Sequence, residues 1–253
     1  MIHLITQLTK YMPFLLLGFM STAKGTKSLY LSDHSVIKGY DYVCYDPECV
    51  SDLFDKPASE CVEAFDQLKF SDWFDDANTA LDYITKIKQN ATHKIVMVGS
   101  SMGGWITLAM AMKHPELIKG IILIAPALNF MRPYYLDLYN KCTLDDQKSL
   151  DAGKTVIINS LQGEMPLHKK FVESSYGMEI DLQNPINVNV PVRIIHGVQD
   201  DSVPYKNSIT LMNSLASKDV DILYRKAGDH RLCSQEDLSL LSETLDKMIT
   251  SLG

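Results

Sequence analysis

Two kinds of apolar stretch alternate along this chain. Short runs at residues 14–17, 40–45, 94–98, 121–124, 192–195 and 221–224 have the length and composition of strands. Between them, residues 27–35, 106–112, 206–214 and 234–251 read as helices, the last clearly amphipathic. A longer helix is expected from a cap at Ser71 and Asp72 to about Gln89. Trp73, Ala77, Ala80, Leu81, Ile84 and Ile87 fall near one face of it, which reads as core, while Asp75 and Asp76 read as a solvated face. Residues 121–124 are apolar without a break, as in a strand buried on both faces. Strands alternating with helices predict the α/β class: a mainly parallel sheet with helices on both faces. Functional residues then belong on loops beyond the carboxyl ends of the strands.

Two regions depart from this rhythm. Residues 50–68, rich in Asp and Ser, read as an irregular connection. From 128 to 190, Pro133, Gly163, Pro166 and Pro185 interrupt short helical pieces that carry many aromatic and methionine side chains. Phe130, Met131, Tyr134, Tyr135, Tyr139, Met165, Phe171, Tyr176 and Met178 read either as a cap over a pocket or as the ordinary packing of an insertion.

Composition narrows the class of partner. A chain of 253 residues, 46% hydrophobic, fits one large domain with an ample core. A net charge of -7, two tryptophans and no basic cluster argue against nucleic acid and against an anionic membrane surface. The cysteines (Cys44, Cys49, Cys61, Cys142, Cys233) are scattered and form no C-x-x-C pair, so neither a disulfide framework nor a zinc site is indicated. Residues 12–20, preceded by Lys10, have the look of a weak signal-peptide core but are too short to span a bilayer, so no stable membrane insertion is expected. A buried strand at 14–17 is the preferred reading there. Residues 1–11 make a poor mitochondrial presequence, and the sequon Asn90-Ala91-Thr92 matters only in a secreted chain.

The candidate chemistry centres on Val96-Met97-Val98-Gly99-Ser100-Ser101-Met102-Gly103-Gly104-Trp105, a G-x-S-x-G string between a strand and a helix. That context makes Ser101 the tip of a sharp, strained turn, with glycines where strand and helix leave no room for side chains. The plain alternative is a glycine-rich turn without chemistry. A serine hydroxyl is a weak nucleophile and needs an imidazole base, itself oriented by a carboxylate. Downstream, H-G-x-x-D-x-x-V-P after the strand at 192–195 selects Asp200 over Asp201 as that acid. Asp229-His230, between the last strand and the closing helix, makes His230 the base in the order Ser, Asp, His. His196 reads as support for a strand end, and His3, His34, His93, His114 and His168 as surface or packing residues. The oxyanion formed on carbonyl attack calls for backbone N–H donors from Met102, after the nucleophile, and Phe19, after the first strand. Such a site needs no metal and no organic cofactor.

With these residues in place the chain resembles the α/β-hydrolase superfamily over nearly its whole length. It is similar in particular to the mitochondrial palmitoyl-protein thioesterase branch, also known for acyl-glucuronide esterase activity. The narrower resemblance rests on Gly18-Phe19 with Gly25-Thr26-Lys27, on Gly99 to Trp105, on His196-Gly197 with Asp200-Asp201 and Val203-Pro204, and on Asp229-His230-Arg231. It implies an α/β-hydrolase fold over residues 1–253 with 128–190 a small helical cap insertion, Ser101 as nucleophile, Asp200 as acid and His230 as base. The implied substrates are acylated proteins or small-molecule esters, S-palmitoyl-cysteine first among them, and the implied location is mitochondrial, or cytoplasmic if the short amino terminus is genuine. A general carboxylesterase or lipase shares these residues, and some proteins of this fold bind ligands without turnover. The chain departs from the branch in having about a dozen residues before its first expected strand. It also departs in carrying Asp46-Pro47-Glu48-Cys49 in place of a glycine-rich turn.

Overall fold

A computed structural model describes residues 2–5, 11–19, 21–47, 57, 60, 62–87, 93–160 and 163–253. Met20, Glu48, Cys49, most of the connection at 50–61, the Asn90-Ala91-Thr92 sequon, the helix end expected near Gln89 and the side chains of Ile87 and Met165 lie outside them.

The strands are β1 (Ile2–Ile5), β2 (Tyr11–Leu16), β3 (Tyr42–Tyr45), β4 (Lys94–Ser100), β5 (Ile118–Ile124), β6 (Val156–Ser160), β7 (Gly163–Leu167), β8 (Val192–Gly197) and β9 (Val220–Arg225). Among the described residues, all but β6 and β7 form one sheet in the order β1-β3-β2-β4-β5-β8-β9. Every neighbouring pair is parallel except β1 with β3. Parallel neighbours require crossovers, and helices supply them: α1 (Thr26–Lys38), α2 (Val62–Gln67), α3 (Ser71–Ile87), α4 (Met102–Lys113), α5 (Met131–Lys141), α6 (Leu144–Asp151), α7 (Lys169–Glu173) and α8 (Asn207–Ser214), with α9 (Gln235–Ser251) closing the chain. The fold is that of the α/β hydrolases, with helices on both faces of the sheet.

The chain divides into two compact units. The first comprises residues 1–46, 77–128 and 180–253 and holds the large sheet. Its centre is dry: Val96, Met97 and Val98 of β4 and Ile121, Ile122 and Leu123 of β5 have no exposed surface. Both faces of these strands are therefore covered, which explains the unbroken apolar runs. One core cluster joins Leu15, Val96, Val98, Ile122 and Ile195 to Leu31 of α1 and to Leu241, Leu245 and Met248 of α9. Each such side chain contributes roughly 1.5–3 kcal/mol on burial.

The second unit comprises residues 47–76 and 129–179. Its aromatic core sets Phe171 against Phe65, Phe70 and Trp73 at centroid separations of 5.3, 6.2 and 5.6 Å. Ser174 Oγ accepts the Phe70 N–H at 2.7 Å and so joins the two stretches of chain that build the unit.

Several boundaries differ from the expectations. β1 has no counterpart among them, because four half-buried residues at a chain end show too little alternation to read. β2 begins at Tyr11, ahead of Pro13, which is tolerated because the β2–β3 register starts only at Phe14. The helix α1 runs on to Lys38, where Gly39 at φ 71° caps it. Within 50–68, expected to be irregular, Val62–Gln67 is helical. Among the short helical pieces expected at 128–190, β6 and β7 form an antiparallel hairpin, Val156 opposite Leu167. Pro166 sits in this pair without harm because both strands are edges. Residues 180–190 pack with the first unit, where Ile186 N–H donates to Ser214 O at 2.7 Å and Ala216 N–H to Ile186 O at 3.0 Å.

Candidate active site

All the expected site residues belong to the first unit, beyond the carboxyl ends of β2, β4, β8 and β9. At the end of β4, Ser101 has φ 54° and ψ -120° and stands as the N-terminal flanking residue of α4. A serine in that conformation stores on the order of 1–3 kcal/mol of strain and keeps it only where its surroundings allow no other geometry. Here Ser101 N–H donates to Ile124 O at 2.8 Å, while Ser101 O accepts from Gly104 N–H at 2.9 Å and Ala127 N–H at 3.0 Å. The two flanking glycines are required by space. A Cβ on Gly103 would lie 2.1 Å from Leu16 O, and one on Gly99 would lie 2.5 Å from Gly103 O. Thus α4 presses directly onto the ends of β2 and β4, and the serine is turned out at the junction.

At the end of β8, the backbone of Gly197 runs so close to the loop after β9 that a Cβ there would lie 2.3 Å from Gly228 O. This contact brings the Asp200 and His230 loops together. Asp200 has no exposed side-chain surface. Its Oδ1 accepts the backbone N–H groups of Ser202 at 2.9 Å and Val203 at 2.8 Å, and its Oδ2 accepts from His230 Nδ1 at 2.8 Å. On the other side of the ring, His230 Nε2 lies 3.1 Å from Ser101 Oγ. With Nδ1–H committed to the carboxylate, Nε2 of the neutral ring is the acceptor and the serine hydroxyl donates. The ring is 19% exposed, so the serine end of this chain of contacts meets solvent while the carboxylate end does not.

Burial pushes the Asp200 carboxyl toward a higher pKa, but hydrogen bonds from His196, His230 and the Val203 N–H together outweigh it and hold the group well below the ordinary carboxylate range. Asp200 is therefore an anion at any pH near neutrality. Asp201 is exposed and accepts the neighbouring Ser202 hydroxyl at 3.1 Å.

The expected oxyanion donors sit on the two segments that frame Ser101. Met102 is the first residue of α4, and the first N–H groups of a helix have no intrahelical acceptor. Phe19 lies in the turn after β2, closed by the Ser21 N–H to Gly18 O at 3.2 Å. Gly18 of that turn is the neighbour of Ser101 itself, since a Cβ on it would lie 3.3 Å from Ser101 Cβ.

Two contacts at this site were not anticipated. His196 does more than finish a strand: its Nε2 lies 3.1 Å from Asp200 Oδ2, and its Nδ1 lies 2.7 Å from Ser208 Oγ on α8. The readable signal was its place four residues before Asp200 in H-G-x-x-D. Lys27 of α1 donates from Nζ to Arg231 O at 2.5 Å and so ties the His230 loop to the first helix, a pairing 204 residues apart that no local pattern reveals. The remaining histidines all have partners elsewhere: His3 with Asp46, His34 with Asp246, His93 with Asp41, His114 with Asn78 and His168 with Gly153 O. Among the described residues no three His, Cys, Asp or Glu side chains converge as metal ligands, and no helix is long and apolar enough to cross a membrane.

The model of the prolyl oligopeptidase family matches residues 63–239. The chain is 26% identical over 247 residues, 93% of its length and 72% of the relative's, to the bovine (Bos taurus) protein named palmitoyl-protein thioesterase ABHD10, mitochondrial. Its structure is similar to that of alpha/beta hydrolase domain-containing protein 10 from mouse, with a TM-score of 0.77 and 24% identity over 100% of this chain and 94% of the other. It is also similar to a crystal structure of a protein from Agrobacterium vitis S4, with a TM-score of 0.82 and 24% identity over 98% and 92% of the two chains.

Proposed function

From the premise that this chain belongs to the prolyl oligopeptidase family and is a serine hydrolase of the α/β-hydrolase fold, we propose that it cleaves acyl thioesters and esters through an acyl-Ser101 intermediate. The observation that carries this reading is the hydrogen-bonded run from Ser101 Oγ through His230 to Asp200, with contacts of 3.1 and 2.8 Å, in one compact unit. In the reaction, Ser101 Oγ attacks the acyl carbonyl while His230 Nε2 takes its proton, and the Asp200 carboxylate supports the imidazolium that forms. The backbone N–H groups of Met102 and Phe19 receive the oxyanion. Collapse of the tetrahedral species expels the thiolate or alkoxide, which takes the proton from His230. Water then attacks the acyl-serine with His230 as base again, releasing the carboxylic acid and restoring Ser101.

S-palmitoyl-cysteine in an acylated protein is the substrate we propose first, supported by the name of the bovine relative and by that of the human protein, 28% identical over 240 residues. Both names also include "mitochondrial", and we propose that compartment for this chain. A panel of palmitoyl thioester, oxygen esters, acyl glucuronide and prolyl peptide, assayed with wild type and Ser101→Ala, tests the reading. The thioester is expected to be the best substrate, and Ser101→Ala to lose on the order of 10⁴-fold or more in kcat. A Ser101→Ala variant that keeps wild-type turnover would refute the mechanism, and a peptide preferred over every ester would refute the substrate class. Immunofluorescence or fractionation of the tagged full chain tests the compartment.

A further inference from the structure

We propose that His196, backed by Ser208, is a positioning residue that sets how strongly Asp200 supports His230. The proposal rests on the reading of Ser101, His230 and Asp200 given above. Asp200 Oδ2 is shared by two imidazoles, His230 Nδ1 at 2.8 Å and His196 Nε2 at 3.1 Å. Its Oδ1 is filled by two backbone donors, so all four acceptor sites of the carboxylate are in use.

His196 has no exposed surface, and its ring nitrogens face Ser208, Asp200 and Val203 O. Its proton is assigned by its partners. Nε2 faces two acceptors, Asp200 Oδ2 and Val203 O, each at 3.1 Å, and therefore carries the hydrogen. Nδ1 faces the Ser208 hydroxyl at 2.7 Å, which can donate to it. A neutral ring satisfies every contact, with the proton held on the side facing the carboxylate. Ser208 is itself fully buried, so no water competes for Nδ1.

The consequence is electrostatic. The His196 N–H draws negative charge on Oδ2 toward itself, and what it draws is unavailable to the imidazolium that His230 becomes during turnover. Removing that donor strengthens the hold of Asp200 on protonated His230 and moves the onset of base catalysis to higher pH. Of the other charged groups at these loops, Lys27 of α1 donates from Nζ to the backbone Arg231 O, one residue from His230. Asp229 Oδ1 accepts the Leu232 N–H at 2.9 Å, Asp201 accepts from Ser202, and Arg231 is exposed.

The test is the pH dependence of covalent labelling of the full chain by a fluorophosphonate probe, with the midpoint of the acid limb as readout and thermal unfolding as the fold check. His196→Phe is expected to move the midpoint up by roughly half a pH unit or more. His196→Gln, whose amide N–H can take the place of Nε2–H, is expected to restore it. Ser208→Ala, which leaves the donor in place but less polarised, is expected to move it in the same direction by less. A folded His196→Phe variant with the wild-type midpoint overturns the proposal. Should His196→Phe not fold, an unmoved midpoint in Ser208→Ala overturns it instead. Wild type that does not label, or Ser101→Ala that labels equally, refutes the underlying reading rather than the role of His196.

Discussion

The large sheet carries a buried aspartate paired with a histidine at each of its two ends. Beyond the carboxyl end of β8, Asp200 meets His230 at 2.8 Å; at the amino ends of β3 and β4, Asp41 meets His93 at 3.1 Å. Neither aspartate has exposed side-chain surface, and the histidines are 19% and 8% exposed. Both pairs join a carboxylate oxygen to an imidazole nitrogen, through Nδ1 of His230 and through Nε2 of His93, at opposite ends of the strands. At the carboxyl ends the strands feed into helices, one of them through a strained serine, and the loops converge on a common point. At the amino ends the pair fastens the entry of β3 to that of β4, next to the Asp41 N–H to Tyr11 O bond of 3.2 Å. An Asp–His pair is therefore structural until a nucleophile is aimed at the far side of its ring.

The most direct way to break this comparison is to make one change at both ends. Asp200→Asn should lower kcat by roughly 10³–10⁴-fold, because the amide no longer holds His230 in the tautomer that accepts from Ser101. Asp41→Asn should leave kcat within about two-fold and instead cost roughly 1–3 kcal/mol, the usual cost of weakening a buried hydrogen bond. Steady-state kinetics and urea unfolding on both variants separate the two, and equal kinetic losses would erase the distinction.

Packing at the carboxyl end supplies the next contrast. Gly103→Ala places a Cβ against Leu16 O and should cost roughly 1–3 kcal/mol while slowing fluorophosphonate labelling of Ser101. Gly177→Ala, in the 3₁₀ turn Tyr176–Met178 of the second unit, meets nothing within 4 Å and should change stability by no more than about half a kcal/mol.

Acidity sharpens the comparison further. Asp200 is held below its unfolded pKa, so its contribution to stability is fully present above the ordinary carboxylate range of about 4. It is lost as pH falls from there toward the lower folded value. Unfolding of wild type should therefore ease more between pH 5 and pH 3 than that of Asp200→Asn, as read from parallel urea titrations. A modest effect without kinetic consequence belongs to the second unit. Thr143 caps α6 by accepting the Asp146 N–H at 3.2 Å, and Thr143→Ala should cost about 1 kcal/mol or less, with kcat unchanged.

The parts of this arrangement legible in the sequence are those written in local pattern. The unbroken apolar runs of β4 and β5, the glycines around Ser101 and the spacing from His196 to Asp200 all report constraints acting within a few residues. What escaped depends on distant partners or on segments too short to show a period. β1 owes its existence to pairing with β3, and the hairpin of β6 and β7 was hidden behind Gly163 and Pro166, residues that elsewhere interrupt strands. The bond from Lys27 to Arg231 O joins the first helix to the last loop, and the bond from His196 to Ser208 joins β8 to α8. Neither leaves a trace in composition or spacing.

The central claim is a covalent one, and intact-protein mass spectrometry reads it directly. Wild type mixed for seconds with palmitoyl thioester and quenched in acid should carry one palmitoyl group, which peptide mapping places on Ser101. The adduct should be absent from Ser101→Ala and should accumulate in a deacylation-impaired variant. Turnover of the thioester by wild type with no adduct under any quench, or an adduct on another residue, would contradict the account.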